Sequence, residues 1–316
     1  MKFFRIKSTL LFIFIITALS VSVFGQSTNS NVGTSAFSFL KINVSARAVA
    51  MGGAFTGLAD DESSLYYNPA GLTAFEHSHF ILDYHNYFYD MQSGFVGVIK
   101  PLNSKSVLGF YISYMNYGDF TETTEQGDVT GLFSGGDFLF AVSLAMKKNY
   151  QFSYAATAKL IYEKIQDYSA NGIAFDIAVK YISDRGRIGG GLMLQNIGMQ
   201  MSSLGNEKYD LPAAVRGGIF YTPRGLPMIL TSDISFPFDN DPVFAIGGEY
   251  IEFKPFYIRL GWNSFGSNYR TADSEDSWAG LSFGAGFDYN KMQLSYAYSP
   301  SAELGDSHRI TIVGEI

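Results

Sequence analysis

The chain of 316 residues contains no cysteine. Disulfides and thiolate metal centres are therefore excluded, and so is a lipid anchor on a processed N-terminal cysteine. Charge is scarce as well: Asp, Glu, Lys and Arg make up 16% of the residues, where a soluble domain carries about 25%. Lys and Arg number 22 against 29 Asp and Glu, a net charge of −7. Nucleic acid is a poor partner for such a surface, because phosphate recognition needs clustered cations. After the first 25 residues no apolar run reaches the roughly 20 residues that a spanning helix requires. Histidine is confined to His77, His79, His85 and His308, which leaves few ways to assemble a metal or acid–base centre.

What is abundant points elsewhere. There are 28 Phe, 21 Tyr and 33 Gly. High aromatic and glycine content with little charge suits a barrel whose outer face is lipid. The N-terminus carries Lys2, Arg5 and Lys7, an apolar run from Leu10 to Leu19, and Val23-Phe24-Gly25 ahead of Gln26. That is the pattern of a cleaved signal peptide over residues 1–25.

From about His77 onward the hydrophobic period is two. Phe138, Phe140, Val142, Leu144 and Met146 alternate with Asp137, Ala141, Ser143 and Ala145; Phe256, Ile258, Leu260 and Trp262 alternate with Tyr257, Arg259, Gly261 and Asn263. One face is apolar and the other small, polar or charged, as a strand between lipid and a polar lumen demands. About fourteen such segments over residues 76–316 predict an antiparallel transmembrane β-barrel of a bacterial outer membrane. Tight connections such as Pro223–Pro227 and Lys254-Pro255 alternate with longer polar ones. The longer set, Tyr117–Gly135, Lys164–Ala170, Gly198–Pro212 and Ser264–Ser277 among them, is expected outside the cell. Tyr84, Tyr87, Phe88 and Tyr89, with Tyr111, Tyr114 and Tyr117, read as an interfacial aromatic girdle.

Alternation also sends Lys159, Glu163, Asp176, Lys180, Arg216, Asp233, Glu249, Arg259 and Asp288 inward. A mid-bilayer Lys or Arg facing lipid would cost about 2–4 kcal/mol, so the lumen is where these charges belong. Since both signs occur, mutual pairing and anchoring of an internal segment are expected rather than an ion-selective pore.

Residues 26–75 break the pattern. Ser45–Met51 reads as a short helix stopped by Gly52-Gly53. Asp60–Tyr67 reads as a second, with Asp60, Asp61 and Glu62 capping its N-terminus rather than holding calcium. It ends at Asn68-Pro69, because proline disfavours helical geometry in the residue before it. A segment of this kind ahead of a barrel is expected to plug the lumen. No catalytic constellation is visible. His77 and His79 near Glu76 or Asp83 suggest polar residues entering the first strand more than a metal site. Ser307-His308 has no third partner in view. Gly52-Gly53 with Gly57 lacks phosphate-loop spacing. Neither enzymatic function nor a cofactor is expected.

The block Phe39-Leu40, Ser45–Ala54, Ala59-Asp60-Asp61 and Tyr67-Asn68-Pro69-Ala70-Gly71-Leu72 resembles the PorV/PorQ family of outer-membrane proteins, itself similar to the FadL hydrophobic-compound transporters. Arg47, Gly52, Gly53, Asp60, Asp61, Asn68, Pro69 and Gly71 carry the plug motif. Shorter matches follow at Gln195-Asn196-Ile197-Gly198, Leu211-Pro212, Gly247-Gly248-Glu249-Tyr250, Arg259-Leu260-Gly261 and Ser295-Tyr296-Ala297-Tyr298. The resemblance implies a FadL-like barrel in the outer membrane of a Bacteroidetes-type bacterium. It further implies a role in type IX secretion, with exported proteins or other secretion components as partners. The FadL side of the resemblance implies the alternative, a channel for hydrophobic small molecules.

Overall fold

A computed structural model describes residues 32–87, 89–267, 278–300 and 305–316. The proposed signal peptide, Phe88 and most of Ser264–Ser277 lie outside the described residues. Fourteen antiparallel strands form one closed barrel. They are β1 His79–Asn86, β2 Gln92–Pro101, β3 Ser106–Thr123, β4 Val129–Lys147, β5 Phe152–Ile165, β6 Tyr168–Ile182 and β7 Ile188–Ser202. The ring continues with β8 Ala214–Tyr221, β9 Met228–Pro237, β10 Val243–Tyr250, β11 Phe256–Asn263, β12 Leu281–Tyr289, β13 Met292–Pro300 and β14 Asp306–Glu315. Every strand pairs with its sequence neighbour, and β14 closes on β1 through His79↔Glu315 to Asn86↔His308. Closure leaves no free edge, which matters in lipid because an unpaired backbone group there costs several kcal/mol.

The two faces follow the predicted alternation. Phe138, Phe140, Ile258, Leu260, Leu294 and Ile310 are exposed outward, while Ala141, Ser143, Arg259, Ser295 and Arg309 are buried inward. Outward aromatics cluster at both strand ends: Phe152, Tyr181, Tyr221 and Phe256 near the short turns, Tyr84, Phe138 and Phe236 near the opposite rim. Three residues assigned to the girdle are instead internal: Tyr87, which packs on the inward His85, and two on β3. Tyr111 is buried and stacks on Phe95, and Tyr117 donates its hydroxyl to Asp137. They fall on the inward parity of β3, so the alternation outranks the aromatic preference for an interface.

Loop asymmetry takes a different form from the one expected. Tyr117–Gly135 and Lys164–Ala170 are mostly strand, not loop. Strands β3 and β4 are 18 and 19 residues long, whereas a bilayer needs about 9–11. Gln92 at the start of β2 pairs with Asn116, so everything in β3 beyond Asn116 stands clear of the neighbouring rim. Strands β3 to β7 thus build a raised wall on the side away from the C-terminal end of β14. A bulge between Asn116 and Asp119, with Gly118 at φ 76°, bends the hairpin where it leaves the ring.

The N-terminal segment lies within the ring. Its helix Ala46–Ala50 packs on β11 to β14, and the 3₁₀ turn Pro69–Ala74 packs on β3 to β6. Touching opposite walls at once is possible only from inside. Ala46, Ala48, Ala50, Met51, Phe55 and Leu72 are wholly buried, so the barrel has a hydrophobic core despite its polar inner face. The second helix is shorter than predicted: it spans Ser64–Tyr67, with no acid in its first turn.

Candidate functional site

Buried charged and polar contacts are concentrated where this segment meets the inner wall. Glycine sets the contact distance. Gly52 holds φ 70°, open to glycine but strained for other residues, and a Cβ there would come 2.6 Å from the Trp262 carbonyl oxygen. Across the gap, a Cβ on Gly261 would fall 2.0 Å from the Gly52 nitrogen, and one on Gly247 2.4 Å from the Met51 carbonyl. Backbone therefore rests on backbone at β10 and β11. Here the motif pieces Gly52-Gly53, Gly247-Gly248 and Arg259-Leu260-Gly261, far apart in sequence, converge.

Charge completes the seat. Arg47, on the helix, donates from Nε and Nη2 to the two oxygens of Glu249 on β10, at 2.9 and 2.8 Å. Its Nη1 reaches Asp60 at 2.7 Å and Asp61 at 3.1 Å. Burial alone would lower the Arg47 pKa, but Asp60, Glu249 and Asp61 together outweigh it and hold the guanidinium charged. Glu249 also receives Arg259 Nε at 2.6 Å, and Arg259 continues to Ser295 at 2.9 Å and Gln293 at 3.0 Å. Gln293 then donates to Asp288 at 2.7 Å. An Arg–carboxylate fork is the strongest common form of such a pair, and here one carboxylate serves two arginines.

Other inward charges hold the segment by its backbone. Asp233 Oδ2 accepts from the amides of Phe55 and Thr56 at 3.1 and 2.7 Å. Lys180 donates to the carbonyls of Leu58 and Ala59 at 2.6 and 2.5 Å. Thr311 accepts the Ala46 amide at 2.6 Å and itself bonds Asp83, which is paired with Arg309. Asn68 bridges Thr56 and Val179 carbonyls at 2.9 and 3.1 Å and caps the Pro69–Ala74 turn through Ala70. Gly71 packs where a Cβ would lie 2.2 Å from the Ala59 carbonyl. Lys159 and Asp176 pair at 2.7 Å within the wall, beside Asn196.

Sequence reasoning identified these charges as inward but assigned Asp60 and Asp61 to helix capping. Asp60 pairs with Arg47 instead, and Asp61 divides itself between Arg47 and the Ser63 amide, 2.9 Å away. It missed Asp83, Arg309 and Thr311, though their parity on β1 and β14 puts them on the inner face. It gave Glu62 to the same helix cap, whereas its Oε1 lies 2.7 Å from His79 Nδ1. Burial, with Asp61 adjacent, pushes the Glu62 carboxyl up to about 8. Burial thus favours the uncharged form of this acid in its contact with His79. Ser307 and His308 face opposite sides of β14; Ser307 bonds His85 at 2.6 Å, and His308 bonds Tyr296 at 2.8 Å on the outer face. The third group at His85 is Ser93, 3.1 Å away, not a carboxylate. Among the described residues no cluster of three acidic or histidine side chains is placed to hold a metal.

Two spaces remain. A cavity of about 150 Å³ opens between Gly52-Gly53, Tyr66 and the loop-side ends of β8 to β11, and a groove of about 680 Å³ runs along β6 to β10 past Gly190, Leu192, Gly217 and Ile219.

The family model described as "Type IX secretion system protein PorV" matches residues 25–221. No curated protein matches the chain. Among solved structures, the CymD monoaromatic hydrocarbon channel aligns with a TM-score of 0.58 at 12% identity, covering 87% of this chain and 98% of that one. The Pseudomonas putida toluene transporter TodX gives 0.57 at 12%, over 85% and 96%. A Pseudomonas aeruginosa FadL homologue gives 0.54 at 12%, over 92% and 99%. At such identity the likeness concerns the fold.

Proposed function

The chain belongs to the PorV family of type IX secretion system proteins, and from that premise we propose that it is an outer-membrane barrel that assists secretion by binding exported proteins on its outer rim. The observation that carries this reading is the raised wall of β3 to β7. It offers apolar side chains to water above the bilayer: Phe120, Val129, Leu132, Tyr168 and Met199 are all exposed. Stacking of Phe120 on Phe133, with ring centroids 5.3 Å apart, stiffens the hairpin tip. Exposed aromatic and aliphatic groups on a rigid sheet mark protein-binding surfaces. The occupied interior supports binding over conduction, since the segment bound from both walls leaves no room for a polypeptide to pass. The reading includes no catalysis.

A photo-crosslinking residue at Leu132, in the native membrane, tests it. Adducts with exported proteins on their way to surface attachment are expected. Adducts confined to lipid would contradict it.

The alternative, uptake of hydrophobic small molecules, draws support from the outer groove, where Gly190 and Gly217 thin the wall between apolar Leu192 and Ile219. The named functions of CymD and TodX are of that type. The ion-paired seat argues against it, because the internal segment stands between the two walls of the barrel.

A further inference from the structure

Arg216, on the inner face of β8, is 9% exposed. Its hydrogen bond is a long one, Nη2 to the Gly53 carbonyl at 3.4 Å, and its guanidinium lies 5.2 Å from the centroid of the Tyr67 ring. Among the described residues it forms no ion pair. Every other buried inward cation is met: Lys159 by Asp176, Arg259 by Glu249, Arg309 by Asp83, and Lys180 by two carbonyls. The nearby Asp233 makes no hydrogen bond to it. One of its oxygens takes two backbone amides, and the other is turned to the wall, where a Cβ on Gly218 would be 2.1 Å away. A buried guanidinium without an anion is costly to keep.

Arg216 lines the 150 Å³ mouth cavity together with Asn43, Gln195, Asp239 and Asn263. Asp239 pairs with Lys41 through one oxygen, while its other oxygen is buried with no hydrogen-bond partner. The cavity therefore presents an unspent cationic fork and an unspent acceptor. Of its other charges, Lys41 pairs with Asp239, while Asp233 gives one oxygen to two backbone amides and keeps the other without a hydrogen-bond partner.

We propose that this cavity binds a carboxylate, with Arg216 as its anchor. A guanidinium offers paired N–H groups in a fixed fork that a planar carboxylate can meet with both oxygens. The volume suits a group of about six heavy atoms, since an apolar cavity of about 150 Å³ accommodates benzene. The rest of a longer ligand has to project through the mouth into water, which a polar peptide tolerates and a long acyl tail does not. The carboxylate is either the free C-terminus of a polypeptide or a small free acid. The open Asp239 oxygen favours the terminus, whose peptide N–H groups can donate to it. The site stands on Arg216 and holds whether or not the barrel serves secretion.

The test uses the full barrel in detergent with triglycine, triglycine amide, propionate and decanoate as probes, followed by saturation-transfer NMR. Triglycine is expected to bind at least tenfold more tightly than its amide. Triglycine binding more tightly than propionate identifies a chain terminus, and the reverse order identifies a free acid. Arg216→Gln is expected to bring triglycine to the level of the amide, with Arg216→Lys intermediate. Equal binding of acid and amide, no binding of any carboxylate, or displacement of triglycine by lower concentrations of decanoate would overturn the proposal. Should Arg216→Gln fail to fold, the acid–amide comparison on the unaltered barrel decides it.

Discussion

Arg47 is the residue on which the internal segment turns. It joins two acids of its own segment to a carboxylate 202 residues away. Removing one partner of a buried ion pair is worse than never having built it, at about 3–5 kcal/mol, because the remaining charges stay buried and uncompensated. Arg47→Ala is therefore expected to loosen residues 32–75 while leaving the strand ladder intact. Limited proteolysis should cut the variant within the segment, under conditions where the parent barrel resists, with unchanged β-type circular dichroism. Glu62 makes the seat sensitive to pH. Its folded pKa of about 8 lies above the ordinary value of 4.5, so the folded state holds a proton that the released segment gives up. Stability from this group is complete below pH 4.5 and is lost as pH rises through about 8. Protease sensitivity of the segment should rise between pH 6 and pH 9, and Glu62→Gln should flatten that dependence. An unchanged slope in the variant would show that Glu62 is not the group responsible.

At the scale of elements, β14 decides whether the ring exists. It supplies the register to β1 and β13, and the Ile316 amide bonds the Ser78 carbonyl at 2.8 Å. Deleting Ile310–Ile316 opens two edges in lipid and should abolish heat-modifiable, membrane-resident protein, whereas Ile316→Phe should be tolerated. Accumulation of folded truncated protein would remove β14 as the closing strand. The strand count and the inward or outward sense of most strand side chains were legible in the sequence because lipid and lumen impose opposite demands on alternate positions; Tyr111 and Tyr117 were the exceptions. Legibility failed where that contrast disappears. Beyond Asn116 both faces of β3 and β4 meet water, so Thr121, Glu122, Thr123 and Thr130 carry no alternation and read as loop. Asp60–Tyr67 was misjudged for a related reason: its acids answer to Arg47, a tertiary partner, and not to the local helix end.

For the whole molecule, the sequence identified the participants of the seat without their pairing. Arg47, Asp60, Asp61, Glu249 and Arg259 were each visible, yet only closure of the barrel brings β10 and β11 against the helix. The mouth cavity around Arg216 was not visible at all, since an unmet charge shows only once every other partner has been assigned. On the proposed reading, the barrel closes around its own N-terminal segment and binds its partners at its rim. Ion conductance in planar bilayers tests that claim most directly. The unaltered barrel should show no sustained conductance, and a chain lacking residues 32–75 but inserted normally should conduct. Large, steady conductance of the unaltered barrel, equal to that of the deletion, would mean that the segment does not seal the lumen.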